Sequence, residues 1–285
     1  MPGHGISNSP FLTTRYGGGG GGFDPDYQAI LDYATAQGFI LPSAQEQIIA
    51  NQFMIELKAA SSSGLVGYGM IKVYATNINY GGSIPALLDY TGINWANAGS
   101  NQSTRINTIT QALKEGYSSD GTTSYINENI LADAVSQDDV FYALQINNMT
   151  ADLRNGVTNG SYEGVYLGYN GHQVGVAING TAITVSNATA GTTPGGDYFI
   201  SGVRDNSSDF DLWVDGVNKT TVTSSTTNPS SNIETLAANF IGGGGRFFSN
   251  SANIVGINII GKATEVDQAV LYTAVNTYLT ALSAL

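Results

Sequence analysis

No cysteine occurs in the 285 residues, so neither a disulfide framework nor thiol chemistry is available to the chain. Charge is also scarce: Asp, Glu, Lys and Arg make up 11% of the sequence, against roughly 25% in ordinary soluble domains. The ten Lys and Arg are scattered and outnumbered by 22 acidic residues, which leaves a formal net charge of −12. No basic stripe exists to meet phosphates, and anionic membrane surfaces repel such a chain, so neither nucleic acid nor membrane is expected as a partner. Apolar runs fall short of the about 20 residues that a membrane-spanning helix needs. Histidine is limited to His4 and His172, too few and too far apart for a zinc centre of three or four ligands. Neither a G-x-S-x-G nucleophile signature nor a phosphate loop ending in GK[ST] is present. The opening MPGHGISNSPFLTT lacks the basic and apolar stretches of a secretory signal, so no signal peptide is expected.

Gly, Ser, Thr and Asn supply the polarity instead, beside 42% hydrophobic residues. That is far too apolar for a disordered chain and points to strands joined by many tight turns. Residues 1–22 carry no helical or strand period, and six consecutive glycines, Gly17, Gly18, Gly19, Gly20, Gly21 and Gly22, end that stretch. A glycine tract behaves as flexible coil, so it reads either as a tether behind an anchoring peptide or as a frayed terminus. In the tether reading Phe11, Leu12, Arg15 and Tyr16 are the anchor's contacts with a partner protein.

Residues 23–64 read as two helices. Asp24 caps the first, Pro25 suits its first position, and Tyr27, Ile30, Leu31 and Ala34 recur on one face before Gly38. Ser43-x-x-Glu46 forms a capping box for the second, whose apolar face holds Ile49, Phe53 and Leu57. These faces need cover, from the body of the same chain or from a neighbouring copy in a homo-oligomer. From Leu65 the period changes to two. The best strand runs are IKVYA (71–75), YEGVYLGY (162–169), QVGVAI (173–178), DYFISGV (197–203), FDLWV (210–214) and NIVGINII (253–260). Asn179-Gly180 and Asp215-Gly216 suit two-residue hairpin turns. A third helix closes the chain, with Thr264 as its cap and Leu271, Val275, Tyr278 and Leu282 as its stripe. The expected organisation is therefore 1–22 anchor and tether, 23–64 helical segment, and 65–285 mainly β sandwich with a C-terminal helix.

The ordered set DGTTSYINENI (120–130), YEGVYLGYN, DYFISGVRDNSSDFDLWVDGVNKT (197–220) and NFIGGGGRFFSNSANIVGINIIGKA resembles the concanavalin A-like, laminin-G-type jelly roll. The segment DPDYQAILDYATAQGFILPSAQEQIIANQFMIELKAA, followed by IKVYATN and INWANAGSNQSTRIN, resembles a module of structural proteins in tailed bacteriophages. Together these resemblances imply a virion protein, a head fibre, decoration protein or tail appendage, whose partners are capsid or tail proteins. A virion exterior also fits a low-charge, Asn/Thr/Gly-rich β protein without an export signal. Jelly rolls of this class include β-glucanases, which use an E-x-D-x-x-E strand, and no such run is present. Glycoside hydrolysis needs two facing carboxylates, and the nearest acids, Asp209, Asp211 and Asp215, read as solvated edge and turn charges. No enzyme activity and no cofactor are therefore expected. Oxygen ligands for Ca2+ are plentiful only in loops such as DNSSDFD (205–211), where Asx turns account for them equally well. For ligand binding, Asp211 and Trp213 stand out as a candidate host-glycan pair, with Trp213 expected on the outward side of its strand.

Overall fold

The computed structural model describes residues 22–81, 83–84, 89–134, 136–150, 152–159, 164–180, 183–223, 232–241 and 245–285. Two helices come first, α1 (Pro25–Ala36) and α2 (Ala44–Ala59). The chain then runs through β1 (Tyr68–Val73), β2 (Ser83–Ile84), β3 (Thr104–Ile106), β4 (Ile109–Ala112), β5 (Gly116–Ser118), β6 (Tyr125–Leu131) and β7 (Val140–Met149). Next are β8 (Leu153–Asn159), β9 (Gly164–Tyr169), β10 (Gln173–Gly180), β11 (Ile183–Ser186) and a single helical turn, α3 (Asn187–Ala190). Then follow β12 (Gly196–Arg204), β13 (Asp209–Val214), β14 (Val217–Thr223), β15 (Asn232–Thr235), β16 (Ala237–Ile241), β17 (Gly245–Phe248) and β18 (Ile254–Gly261). Helix α4 (Gln268–Ser283) closes the chain. Among the described residues no helix is long and apolar enough to cross a membrane.

The helix termini follow local chemistry where no tertiary partner competes. The Asp24 side chain accepts the Asp26 N–H at 3.0 Å, and Pro25 fills the first turn. Gly38 takes φ +71°, so that its N–H reaches the Thr35 carbonyl at 3.0 Å and the Phe39 N–H reaches Ala34 at 2.9 Å, a Schellman ending. Only half of the expected capping box forms on α2. Ser43 Oγ accepts the Glu46 N–H at 3.3 Å, but Glu46 turns inward and accepts from Thr76 Oγ1 at 2.5 Å and from the Asn77 N–H at 2.9 Å. A buried carboxylate with two donors waiting below the helix outcompetes the solvent-exposed return bond. Helix α4 also departs from expectation. Its cap is Asp267, which accepts from Ala269 and Val270 at 2.9 and 3.1 Å, while Thr264 is bound to Asp139 instead.

The strands form two sheets. The first has the order β14-β13-β12-β7-β18-β5-β4-β2 with β1 also on β18, and the second has the order β11-β10-β9-β8-β15-β6-β3. The β16–β17 hairpin adds to the second sheet, and β16 runs parallel to β8 while the other pairings are antiparallel. Asp215 and Gly216 make the expected tight turn, with φ +51° and +71° and Val214 opposite Val217. Gly216 is also closely packed, since a Cβ there would stand 3.0 Å from the Tyr272 ring and 3.2 Å from the Ala269 Cα on α4. The β10–β11 register, Gln173 opposite Ser186 through Val176 opposite Ile183, is centred on Asn179-Gly180, as expected of a hairpin there; residues 181 and 182 lie outside the described residues. On its other side β10 places Gly180 opposite Gly164 of β9. The β9 ladder shifts register between Ile178 and Gly180, which leaves Asn179 without a β9 partner.

Alternation along the strands divides the apolar residues between two cores. Ile126, Ile146, Leu167, Val176, Phe210 and Ile260 fill the space between the sheets. On the outer face of the first sheet Ile71, Phe141, Ile257 and Ile259 meet Tyr27, Phe53, Leu57, Leu271 and Tyr278 from α1, α2 and α4. The body of the same chain thus covers the apolar helix faces, and the molecule is a β-sandwich with a helical third layer.

Candidate functional site

Two places concentrate polar side chains. The first lies between the sheets and is sealed. Glu128, fully buried on β6, accepts from Tyr74 Oη at 2.5 Å, Asn258 Nδ2 at 3.1 Å, Ser103 Oγ at 2.6 Å and the Thr235 hydroxyl. Lys72, also fully buried, donates to the Gly92 carbonyl at 3.0 Å and to that of Asn101. Burial pushes the Lys72 ammonium down to about 8, while the Glu128 charge holds it up. Beside this cluster Arg105 pairs with Asp89 at 2.5 Å. The cavity here, lined by Tyr74, Ser103, Arg105 and Tyr117 among others, measures about 10 Å3, room for one water and no ligand. Its role is structural.

The second place is an open concavity of about 480 Å3, within the about 300–1,000 Å3 usual for small-molecule sites. Asp120, Gly121, Asp152, Arg154, Arg246, Phe248, Asn250 and Ser251 line it. Three chain segments meet here, and Ser249, buried beneath them, staples them together. Its hydroxyl accepts the Arg154 N–H at 2.8 Å and donates to the Arg154 carbonyl at 2.7 Å, while its own carbonyl accepts from Ser119 Oγ at 2.9 Å. The Asn250 N–H adds a bond to the Asp152 carbonyl at 2.9 Å. Asp120 is consumed by its own turn, accepting the Thr122, Thr123 and Ser124 N–H groups at 2.9, 2.7 and 2.9 Å as well as the Thr123 hydroxyl. Burial pulls the Asp120 carboxyl upward, but these donors outweigh it and hold it well below the ordinary carboxylate range.

The cationic side chains are fixed from behind. Arg154 Nη1 donates to Tyr166 Oη at 2.6 Å, and Tyr166 lies flat across Gly168, where a Cβ would come within 1.9 Å of its hydroxyl. Arg246 Nε bonds both oxygens of Glu234, at 2.9 and 3.0 Å, and its guanidinium stacks on Tyr125 at 4.4 Å. Phe248 stands beside that ring, 6.3 Å between centroids. Glu234 is only 1% exposed. Burial pushes it up to about 7, against the pull of Arg246. The folded chain therefore takes up this proton near pH 7 and the unfolded chain only near its ordinary value, so the Glu234 contribution to stability increases as pH falls through that window. Ionised Glu234 costs the fold about 3 kcal/mol above pH 7. In Glu234→Gln the stability difference between pH 8 and pH 5 should shift by about 2–3 kcal/mol relative to the parent. Urea unfolding at both pH values measures this, and an unchanged difference would contradict the assignment.

The residues singled out by sequence lie elsewhere. Phe11, Leu12, Arg15, Tyr16 and Gly17–Gly21 are outside the described residues, and Gly22 is exposed. Phe210, Leu212 and Val214 are buried between the sheets as alternation requires. The opposite face of β13 is not open. Trp213 is half-buried against the helical layer, and its indole N–H is enclosed without a partner among the described residues. Asp211 accepts from the Thr221 hydroxyl on the neighbouring strand. In the DNSSDFD loop Asn206 Oδ1 accepts from the Ser208 N–H, the Ser208 hydroxyl and the Asp209 N–H, closing an Asx turn. Among the described residues no group of three or more His, Asp or Glu is placed to hold a metal ion. No motif or period marks the concavity residues as a site in the sequence. The available signal was weak: Asp120-Gly121 and Arg246-Phe248 flank turns, and two of the few cations fall on strands.

No family model matches the chain, and no curated protein matches it. Among solved structures it is similar to the botulinum neurotoxin serotype D binding domain, at 10% identity and a TM-score of 0.49, over 73% of this chain and 52% of that one. The chain thus spans about half the length of that protein. It is also similar to the serotype D ligand-binding domain solved with N-acetylneuraminic acid, at 10% identity and a TM-score of 0.44, over 78% of this chain and 52% of that one. A third similar structure is domain 4 of AbnA, an extracellular GH43 arabinanase of Geobacillus stearothermophilus in complex with arabinotriose, at 11% identity, a TM-score of 0.42, and coverage of 61% and 88%.

Proposed function

We propose that the chain is a non-enzymatic, lectin-like module that binds saccharides in the concavity formed by Asp120, Asp152, Arg154, Arg246, Phe248 and Asn250. The observation that carries this reading is an aromatic edge beside fixed hydrogen-bonding groups in an open hollow of about 480 Å3. Sugars are held in this way, with apolar ring faces against an aromatic plane and hydroxyls on convergent polar groups. Hydrolysis is the weaker reading. It needs one carboxyl kept protonated as general acid, whereas Asp120 is held ionised and spends its oxygens on its own turn. The other carboxyl of the lining, Asp152, is 64% exposed and stands 3.7 Å from Arg154 Nη2 rather than facing a second carboxylate across the hollow.

A glycan array tests the proposal. The parent chain and Trp213→Phe should bind the same saccharides, and Phe248→Ala should lose at least tenfold in affinity, in line with the energy of one aromatic contact. Retention of full affinity by Phe248→Ala, or absence of binding to every saccharide, would contradict it. The sequence resemblance to tailed-phage structural proteins supports display on a virion exterior, with residues 1–22 as anchor and tether. Removal of residues 1–22 should then leave a folded sandwich that no longer joins particles, whereas normal incorporation would contradict the anchor.

A further inference from the structure

Arg246 is built as a fork. Its Nε faces inward to the two oxygens of Glu234, and its plane is fixed on the Tyr125 ring. Nη1 and Nη2 donate to no group among the described residues, and the side chain is 37% exposed at the rim of the concavity. A planar guanidinium held this way offers donors in the geometry that suits a carboxylate or sulfate. The neighbouring charges are already engaged. Asp120 is turned into its own loop, and Arg154 is bound to Tyr166 Oη at 2.6 Å with Asp152 Oδ1 3.7 Å from its Nη2. Glu234 occupies the far side of the guanidinium. Among the described residues the lining therefore presents one oriented pair of charged donors, the Nη groups of Arg246, beside the Phe248 ring.

Resting on the saccharide-binding reading above, we infer that the ligand is an acidic saccharide, whose carboxylate or sulfate is taken by the Nη edge of Arg246 while its ring packs on Phe248. A chain with net charge −12 repels anions at long range, so selective capture of an acidic sugar has to come from this local arrangement. Lysine supplies charge without the fork, and glutamine supplies a donor without charge.

The test is an array of matched pairs: sialylated, uronate and sulfated oligosaccharides beside their desialylated, methyl-esterified and desulfated counterparts. The full chain should bind the acidic member of at least one pair on the order of tenfold to a hundredfold more tightly. Arg246→Lys should keep only part of that preference and Arg246→Gln should abolish it, with both variants retaining binding to neutral partners through Phe248. Thermal melts of the two variants establish that they remain folded. Carboxylate and sulfate pairs separate the two sources of negative charge. Equal binding of both members of every pair, or a preference untouched by Arg246→Gln, overturns the inference and leaves the saccharide reading standing. Absence of binding to any saccharide overturns both.

Discussion

Glu128→Ala is expected to destabilise the protein by about 3–5 kcal/mol, enough to consume much of the roughly 5–15 kcal/mol that holds a typical domain together. The substitution strips the shared acceptor from Tyr74, Ser103, Thr235 and Asn258 and leaves them enclosed between two sheets. It also removes the negative charge that offsets the buried Lys72 ammonium, whose pKa burial already pushes down to about 8. Glu128→Gln keeps an acceptor and the shape, so its loss should be smaller, about 1–3 kcal/mol. Replacing Lys72 and Glu128 together by Met and Leu should recover part of the single-variant loss, since no charge is then stranded. Urea unfolding at pH 7 reads all three. A Glu128→Ala chain within about 1 kcal/mol of the parent would show that the cluster does not hold the sheets together.

Phe53→Ala should rank close behind, at about 3–5 kcal/mol. Phe53 is 1% exposed on α2, stacks on Tyr278 of α4 at 4.6 Å and meets Trp95 at 6.0 Å. Its loss opens a cavity between helices whose backbones are already fixed on the sheet. Because α1, α2 and α4 share one core with the first sheet, far-UV circular dichroism and the combined fluorescence of Trp95 and Trp213 should report a single transition at a lower urea midpoint. Two separated transitions would show that the helices fold apart from the sandwich.

The sequence made the repeating patterns legible and left the tertiary choices hidden. Residues Tyr27, Ile30, Leu31 and Ala34 mark the buried face of α1, and alternation in FDLWV placed Phe210, Leu212 and Val214 in the inner core. Each of these depends on local period. The failures arose where a distant group intervened. Thr76 drew Glu46 away from its cap, and Asp139 held Thr264 while Asp267 took its place. Trp213 shares a face with solvated residues along its strand, but only the docking of α4 reveals that this face is covered. The concavity was the least legible feature, since residues 120, 154 and 246 come from segments far apart in the chain. Ser249, a single buried serine, brings the three segments together.

The central claim is that saccharides are bound where Asp120, Arg154, Arg246 and Phe248 converge. Backbone amide chemical-shift mapping with an array-selected oligosaccharide tests it most directly. The account predicts shifts confined to Gly121, Arg154, Arg246, Phe248 and Asn250, with the amides around Asp211 and Trp213 unmoved. Shifts centred on Asp211 and Trp213, or on the helical layer, would contradict it.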